Sequence, residues 1–201
     1  MTMPLPFSQA CENNKAPILA VLKKHFSAPG TVLEIGGGTG QHALHFATQM
    51  PHLQWQSSDL PDYVDTLNLR IQSADLPNLP LAFALDVTQS PWPLSAVDYV
   101  FSANTLHIMP ASANSHFFSG ITEILRPGGV LCVYGPFKYD GDFTTESNAR
   151  FDLWLKANNP LSGVRDFETI NRLADEAGLT LIEDNAMPSN NQLLVWVKRA
   201  S

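Results

Sequence analysis

The chain has 201 residues, of which 44% are hydrophobic, and its formal net charge is −7 at pH 7. This length and apolar content predict one globular domain, residues 1–201, with a full hydrophobic core. The negative charge disfavours a nucleic-acid partner, because phosphate binding depends on Lys and Arg contacts. No segment approaches the roughly eighteen apolar residues of a membrane span, and the first residues lack the pattern of a secretory leader. We therefore expect a cytoplasmic protein without a membrane partner.

The N-terminal segment, residues 1–29, is predicted to be a proline-bearing lead followed by a covering helix. Apolar side chains recur at roughly helical spacing until Pro29 ends the pattern. This helix precedes the first strand and can cover a ligand pocket. Glu12 and Asn13 near its start are candidates for the pocket wall, with a solvated helix start as the equal alternative.

A short apolar strand followed by a glycine-rich turn, TVLEIGGGTG, occupies residues 31–40. Glycine permits φ > 0 and a close approach of the backbone to a ligand, and the helix that begins at Gln41 directs its first amides toward that ligand. The carboxylate before the glycines suits a ligand with an ammonium group. The candidate ligand-binding residues of this segment are Glu34, Gly36, Gly38, Thr39 and Gly40.

The spacing of these glycines distinguishes two classes of nucleotide ligand. A dinucleotide fingerprint, G-x-G-x-x-G, would require glycine at the position of Gln41, so a nicotinamide dehydrogenase is disfavoured. The E-x-G-x-G-x-G pattern resembles motif I of class I S-adenosylmethionine-dependent methyltransferases. That resemblance implies that the turn and the acid lie against the methionine part of the cofactor, while a purely structural glycine loop is the alternative.

Acidic residues follow the next two predicted strands. The second strand, residues 53–57, leads to Asp59 and Leu60, about twenty residues after the glycines, where a carboxylate can accept bonds from both ribose hydroxyls. A simple turn aspartate is the alternative. Because ligands of a doubly wound sheet lie outside the carboxyl ends of its strands, we expect these acids to converge on one crevice.

The third strand is predicted over residues 81–87 and brings Asp86 and Val87 to the same crevice. There the carboxylate would lie near an adenine amino group and the apolar side chain near its ring. The alternative is that Asp86 caps the turn toward Thr88.

The fourth strand, residues 96–103, is followed by Asn104 and His107. The transferable methyl is expected to point at this strand end, which makes Asn104 a cofactor contact. His107 is the candidate general base and substrate contact, because an imidazole of near-neutral pKa can take a proton from a hydroxyl or an amine. A structural histidine is the alternative reading.

The fifth strand, residues 130–134, follows the tight turn RPGG and leads into Tyr134 and Phe137. Tyr134 is a candidate catalytic and substrate residue through its hydroxyl, and Phe137 is a candidate substrate contact through packing. Two last strands, residues 179–182 and 193–197, are predicted to form an antiparallel hairpin, and Asn191 between them is a further candidate for the pocket wall. The fold class is therefore α/β, a Rossmann-like class I methyltransferase fold with a seven-stranded, mostly parallel sheet and helices on both faces.

Several segments together resemble one small methyltransferase-like family, long described as a domain of unknown function, whose human member is methyltransferase-like protein 26. The segments are SQACENNKAPIL, VLEIGGGTGQHALHFA, WQSSD, LDVT, FSANTLHIMP, LRPGGVLCVYGPF, SNARFDLWL and NNQLLVWVKR. The resemblance implies a site for S-adenosylmethionine, with S-adenosylhomocysteine as product. Asn13 departs from the family pattern, in which arginine is usual.

Methyl transfer is an in-line displacement at a sulfonium methyl, in which the enzyme chiefly orients the nucleophile and excludes water, so no metal is expected. A compact acidic domain favours a small-molecule acceptor, with oxygen, nitrogen and sulfur all open as nucleophiles. The alternative from another class is a module that binds S-adenosylmethionine or S-adenosylhomocysteine without catalysis, because a fold does not determine function. The oligomeric state is not predicted.

Overall fold

The computed structural model describes residues 5–200, so residues 1–4 of the predicted lead lie outside the described residues. The helices are α1 (Gln9–His25), α2 (Gln41–Gln49), α3 (Pro61–Ala74), α4 (Ala113–Ile124), α5 (Glu146–Asn158) and α6 (Phe167–Glu176). The strands are β1 (Gly30–Ile35), β2 (Leu53–Asp59), β3 (Phe83–Ala84), β4 (Val97–Ala103), β5 (Leu125–Gly135), β6 (Phe137–Tyr139), β7 (Asp142–Phe143), β8 (Arg165–Asp166), β9 (Leu179–Met187) and β10 (Asn191–Lys198).

Seven strands form the main sheet in the order β3-β2-β1-β4-β5-β10-β9. The pairs from β3 to β5 are parallel, whereas β10 runs antiparallel to both β5 and β9. The predicted mostly parallel sheet with a C-terminal antiparallel hairpin is confirmed. The chain leaves β1 toward β2 on one side and later returns to β4 on the other, so the order reverses at β1, where ligands of such sheets bind.

Helices cover both faces of this sheet, as predicted. Side chains of β1 alternate between the faces: Val32 joins one hydrophobic core and Leu33 the other. This burial on both sides explains why the central strands are almost continuously apolar. Helices α1, α2 and α3 bury Ile18, Leu22, Ala43, Phe46, Ala47, Leu67 and Ile71 in the first core. Helices α4 and α6 bury Phe117, Phe118, Ile121, Ile124, Ile170 and Ala174 in the second.

The covering helix α1 begins where Ser8 caps it, because the Ser8 side chain accepts a hydrogen bond of 3.3 Å from the amide of Cys11. It packs against α2, and buried Ile18 and Leu22 anchor it to the sheet. The start of α1 is thereby held next to the carboxyl ends of the strands. Among residues 5–200, no helix combines the length and the apolar character needed to cross a membrane.

Three details differ from the sequence prediction. The predicted length of the third strand is wrong, because only Phe83 and Ala84 pair with β2. The chain turns at Asp86, whose carboxylate accepts hydrogen bonds from Thr88. The predicted turn before the fifth strand forms the irregular beginning of β5 instead, with a register shift against β4. A small second sheet, in the order β7-β6-β8, was not predicted, because strands of two or three residues are too short to show a periodic pattern.

Candidate functional site

A cavity of about 750 Å³ opens at the reversal of strand order, at the carboxyl ends of β1, β2 and β4. Its volume lies within the range of roughly 300–1,000 Å³ that is usual for small-molecule sites. The predicted cofactor residues among its lining are Gly36, Gly38, Thr39, Asp59, Leu60, Asp86, Val87 and Asn104. The structure therefore brings eight of the ten predicted cofactor residues to one cavity, and Glu34 and Gly40 lie outside its lining.

The glycine turn has the left-handed backbone that its sequence requires. Gly36 and Gly38 have φ angles of +77° and +55°. The amides of Gly36 and Gly37 donate to the carbonyl of Ser58 at 3.0 and 2.9 Å, which ties the turn to the end of β2. A Cβ atom on Gly36 would lie 2.6 Å from Thr105 Oγ1, so the loop after β4 packs directly on this turn. Glycine is required here both by conformation and by space.

Asp59 links the glycine turn to the end of β2. Its Oδ2 accepts a hydrogen bond of 2.7 Å from the Gly38 amide, and its Oδ1 accepts one of 2.8 Å from the Leu60 amide. Each carboxylate oxygen can accept a second bond. The carboxylate is thus held in place by the backbone and keeps acceptor capacity at the cavity.

The carboxyl group of Glu34 is buried beneath the glycine turn, with a relative exposure of 2%. Its Oε2 accepts a hydrogen bond of 3.1 Å from Trp55 Nε1 and another from the Ser57 hydroxyl. Burial raises the pKa of Glu34 to about 7, although these two hydrogen bonds oppose the shift. The direct contact of Glu34 with a ligand's ammonium group stays a prediction.

The two remaining acid and amide positions differ in their local geometry. Asp86 Oδ1 accepts from the amide and the hydroxyl of Thr88 at 2.9 and 2.7 Å, so the turn-capping interaction exists in this structure while the residue also lines the cavity. Asn104 has a positive φ of +57°, and its amide donates to the Tyr134 carbonyl at 2.8 Å. Asparagine tolerates this conformation better than most residues, and such backbones occur often at functional sites.

None of the predicted substrate and catalytic residues belongs to the lining of the cavity. His107 is buried, and its ring packs edge-on against Phe151 at 5.4 Å. Burial lowers the pKa of His107 to about 4, and the charge of Arg165 acts in the same direction. His107 does not line the cavity, and its role as a base stays a prediction.

Tyr134 lies at the carboxyl end of β5, where it pairs with Ala103 of β4, whereas Phe137 packs in the hydrophobic core on the other face of the sheet. Tyr134 and Phe137 are buried, and Asn191 Nδ2 donates to the Tyr134 hydroxyl at 2.9 Å. Burial is the main cause that raises the pKa of the Tyr134 phenol. These three residues do not line the cavity as described, so their substrate contacts also stay predictions.

The N-terminal candidates and Gly40 belong to other surroundings. Glu12 accepts a hydrogen bond of 2.6 Å from Gln41 Nε2 and lines a separate depression of about 200 Å³. Asn13 lies on the exposed side of α1 and accepts a bond of 2.9 Å from Gln9. A Cβ atom on Gly40 would lie 2.9 Å from Leu67 Cδ1, so this glycine permits close packing against α3.

Several lining residues were missed by the sequence analysis: Ser8, Cys11, His42, Thr105, Ile108, Met109 and Asn159. His42 lies two residues after Gly40, in the first turn of α2, and that position was a usable signal. Asn159 had no local signal, because it reaches the cavity only through packing of the connection after α5.

Arg165 holds one wall of the cavity. Its guanidinium donates to the carbonyls of Leu106, Met109 and Leu161 at 3.0, 2.6 and 3.0 Å. It therefore joins the loop after β4 to the connection that carries Asn159. Among residues 5–200, no group of three His, Cys, Asp or Glu side chains is arranged to hold a metal ion.

The strand order, the hairpin and the position of the cavity define a Rossmann-like α/β protein with the class I methyltransferase fold. The structure is similar to an O-methyltransferase family protein from Burkholderia thailandensis, with a TM-score of 0.82 and 22% identity over 93% of this chain and 57% of that one. It is also similar to human N-acetylserotonin methyltransferase in complex with SAM, with a TM-score of 0.80 and 18% identity over 96% of this chain and 53% of the other.

In sequence, the chain matches the family described as "Protein of unknown function (DUF938)" over residues 5–198, and it belongs to that family. It is also 29% identical over 102 residues to the 27-O-demethylrifamycin SV methyltransferase of Amycolatopsis mediterranei (strain S699), which covers 51% of this chain and 37% of the relative. The chain therefore spans little more than half the length of the similar structures and about a third of the length of this curated relative.

Proposed function

We propose that the chain is an S-adenosylmethionine-dependent methyltransferase that acts on a hydroxyl group of a small molecule. The observation that carries the proposal is the cavity itself. A glycine turn of positive φ, the carboxylate of Asp59 and the carboxylate of Asp86 meet at the strand ends where the sheet order reverses. This is the arrangement that a nucleoside ligand with a charged tail requires.

The residues present fit this cofactor. Asp59 has acceptor capacity for two ribose hydroxyls, and Asp86 with Val87 offers a carboxylate and an apolar surface to a purine. Leu60, after β2, and Asn104, after β4, also belong to the cavity wall. When bound, S-adenosylmethionine supplies a methyl group on a sulfonium ion. The chain itself then has to orient the acceptor oxygen in line with that methyl and exclude water, a mechanism for which we propose no metal.

The hydroxyl acceptor is supported by the names of similar proteins. They include the 27-O-demethylrifamycin SV methyltransferase and an O-methyltransferase family 2 protein of Planctomyces limnophilus in complex with apigenin, which has a TM-score of 0.81 and 17% identity to this chain. The cavity wall formed by Leu85, Ile108 and Met109 suits an apolar acceptor body.

The proposal also includes the finer predictions from the sequence. We place the chain near the family of methyltransferase-like protein 26, as one domain acting in the cytoplasm, where its two free cysteines would stay reduced. His107 and Tyr134 stay in the proposal as catalytic candidates. Glu12, Asn13, Phe137 and Asn191 stay in the proposal as substrate candidates.

A second candidate function is binding of S-adenosylmethionine or S-adenosylhomocysteine without catalysis. It is favoured by one observation: neither of the predicted catalytic residues, His107 and Tyr134, lines the cavity. The cavity would then act as a sensor of the cofactor. Both candidates share the cofactor site and differ in turnover.

The test is calorimetric titration with S-adenosylmethionine and S-adenosylhomocysteine, followed by transfer of a tritiated methyl group to a panel of phenols and aliphatic alcohols. Asp59→Ala should weaken cofactor binding at least tenfold, whereas the matched control Asp65→Ala, at an exposed position of α3, should not. Absence of binding by the intact chain contradicts both candidates. Binding of S-adenosylmethionine without methyl transfer to any of the alcohols and phenols, or to amines and thiols of the same carbon skeletons, favours the sensor.

A further inference from the structure

One histidine lies in the wall of the cavity and has no role in the site described so far. His42 occupies the first turn of α2, immediately after the glycine turn, and has a relative exposure of 5%. Its ring stacks on Phe46 at 5.3 Å and meets Phe101 edge-on at 6.0 Å. These contacts leave the imidazole little freedom to rotate.

A hydrogen bond to Asn14 determines which ring nitrogen of His42 carries the proton. His42 Nε2 lies 2.7 Å from Asn14 Oδ1, and this bond is buried between α1 and α2. An amide oxygen only accepts, so Nε2 donates and the lone pair of the neutral ring is on Nδ1.

The surroundings keep this imidazole neutral. Burial lowers the pKa of His42 to about 4, and nearby His45 and Lys15 lower it further, while Glu12 opposes them. A neutral imidazole next to a cationic cofactor avoids the repulsion that an imidazolium would meet. His42 therefore presents a neutral hydrogen-bond acceptor at the wall of the cavity.

We propose that Nδ1 of His42 accepts the hydrogen bond of the acceptor's hydroxyl group and takes up its proton during methyl transfer, an inference that rests on the proposed function. The acceptor oxygen forms the C–O bond with its own lone pair, the C–S bond leaves its electron pair on sulfur, and the hydroxyl proton passes to Nδ1. The oxygen becomes strongly acidic as it gains the methyl, so a weakly basic imidazole is sufficient. Solvent removes the proton when the product leaves.

This role makes Asn14 a positioning residue, because it acts through His42. Its side-chain carbonyl oxygen stabilises the Nε2–H tautomer of His42, in which Nδ1 is free. The same oxygen accepts a hydrogen bond from Nε2–H of the imidazolium that forms. Asn14→Asp preserves an acceptor oxygen at this place, whereas Asn14→Leu removes it with little change in volume. Comparison of the two variants therefore distinguishes an effect on the His42 tautomer from an effect on packing.

The experiment is nitrogen NMR of protein labelled with ¹⁵N in its histidine rings, at neutral pH, with S-adenosylhomocysteine bound and phenol as the hydroxyl probe. His42→Gln assigns the resonances. We expect the Nε2–H tautomer in the wild-type chain and in Asn14→Asp, a mixture of tautomers in Asn14→Leu, and a shift of Nδ1 alone on addition of phenol. In the wild-type chain, a protonated His42 ring, the Nδ1–H tautomer or an Nδ1 signal insensitive to phenol overturns the proposal.

Kinetics give an independent readout. His42→Gln should lower kcat for transfer of a tritiated methyl to phenol by about 100-fold or more, the usual scale of a lost proton acceptor. Its affinity for S-adenosylhomocysteine should change less than threefold, and the control His116→Gln, exposed on α4, should match the wild type. Equal kcat in His42→Gln and wild type overturns the inference alone. Failure of the wild-type chain to bind S-adenosylhomocysteine overturns the proposed function instead.

Discussion

The backbone amide of Gly38 donates a hydrogen bond of 2.7 Å to the carboxylate of Asp59. This bond crosses from the turn after β1 to the end of β2, so the protein itself organises the two parts of the cavity that are proposed to hold opposite ends of a nucleoside ligand. Such an arrangement reduces the entropy that binding has to remove, because the carboxylate is already oriented.

The glycine turn gives a first prediction, in which two glycines of similar φ have different surroundings. A Cβ atom on Gly38 meets nothing within 4 Å, whereas one on Gly36 would lie 2.6 Å from Thr105 Oγ1. We expect Gly38→Ala to lower the free energy of unfolding by about 1–2 kcal/mol through backbone strain alone. Gly36→Ala should lower it by roughly 1 kcal/mol more, because overpacking adds to the strain.

Denaturant titration measures both losses of stability, and Gly38→Asn is the matched control. Asparagine tolerates positive φ, so this variant should lose less stability than Gly38→Ala. Equal losses at Gly36 and Gly38 would show that Thr105 does not constrain the turn.

Glu34 gives a second prediction, for the pH dependence of stability. Its folded-state pKa of about 7 lies above the ordinary value of 4.5, so the folded chain binds more protons than the unfolded chain between these pH values. The stability that this group contributes is fully present below about pH 4.5 and is lost as pH rises through 7, a change of about 3 kcal/mol. Glu34→Gln should remove this decline, because a buried amide does not ionise.

The measurement is the free energy of unfolding at several pH values from 4.5 to 8.5. Glu123→Gln, at an exposed position of α4, is the control and should keep the wild-type slope. If the free energy of unfolding of the wild type and of Glu34→Gln changed with pH in the same way, the raised pKa of Glu34 would be contradicted.

Arg165 gives a third prediction, because one guanidinium serves three carbonyl oxygens of the cavity wall. A lysine cannot reproduce this fork, so Arg165→Lys should lower the free energy of unfolding by about 1–3 kcal/mol. Hydrogen exchange of the Gly163 amide, which donates to the His107 carbonyl at 2.9 Å, should become faster. Arg150→Lys, an exposed ion pair with Glu146 on α5, should change stability by less than about 0.5 kcal/mol. An unchanged hydrogen-exchange rate at Gly163 would show that Arg165 does not stabilise this wall of the cavity.

Much of the fold was predictable because its signals are local. The apolar run before the glycines specified β1, and alternation and turn residues specified the hairpin of β9 and β10. Strand β3 was overestimated because apolar residues continue past the two that pair with β2. The small sheet of β6, β7 and β8 depends on packing between distant segments and has no local period.

The candidate site was predictable where strand ends determine position and unpredictable where helix packing does. Asp59, Asp86 and Asn104 follow strands and reach the cavity as expected from the topology. His42 reaches it through the angle of α2, and its partner Asn14 belongs to a helix whose docking the sequence does not encode locally. Glu34 shares its sheet face with Val32, because side chains alternate along a strand, and this places it under α2.

The indole of Trp55 is fully buried and donates its N–H to Oε2 of Glu34 at 3.1 Å. A charge that appears or disappears at this distance changes the electric field across the ring, and indole fluorescence responds to such a field. The chain thus contains its own optical probe directly beneath the glycine turn. The contribution of Trp55 to the emission of the four tryptophans can report the ionisation of the carboxyl group without any added label.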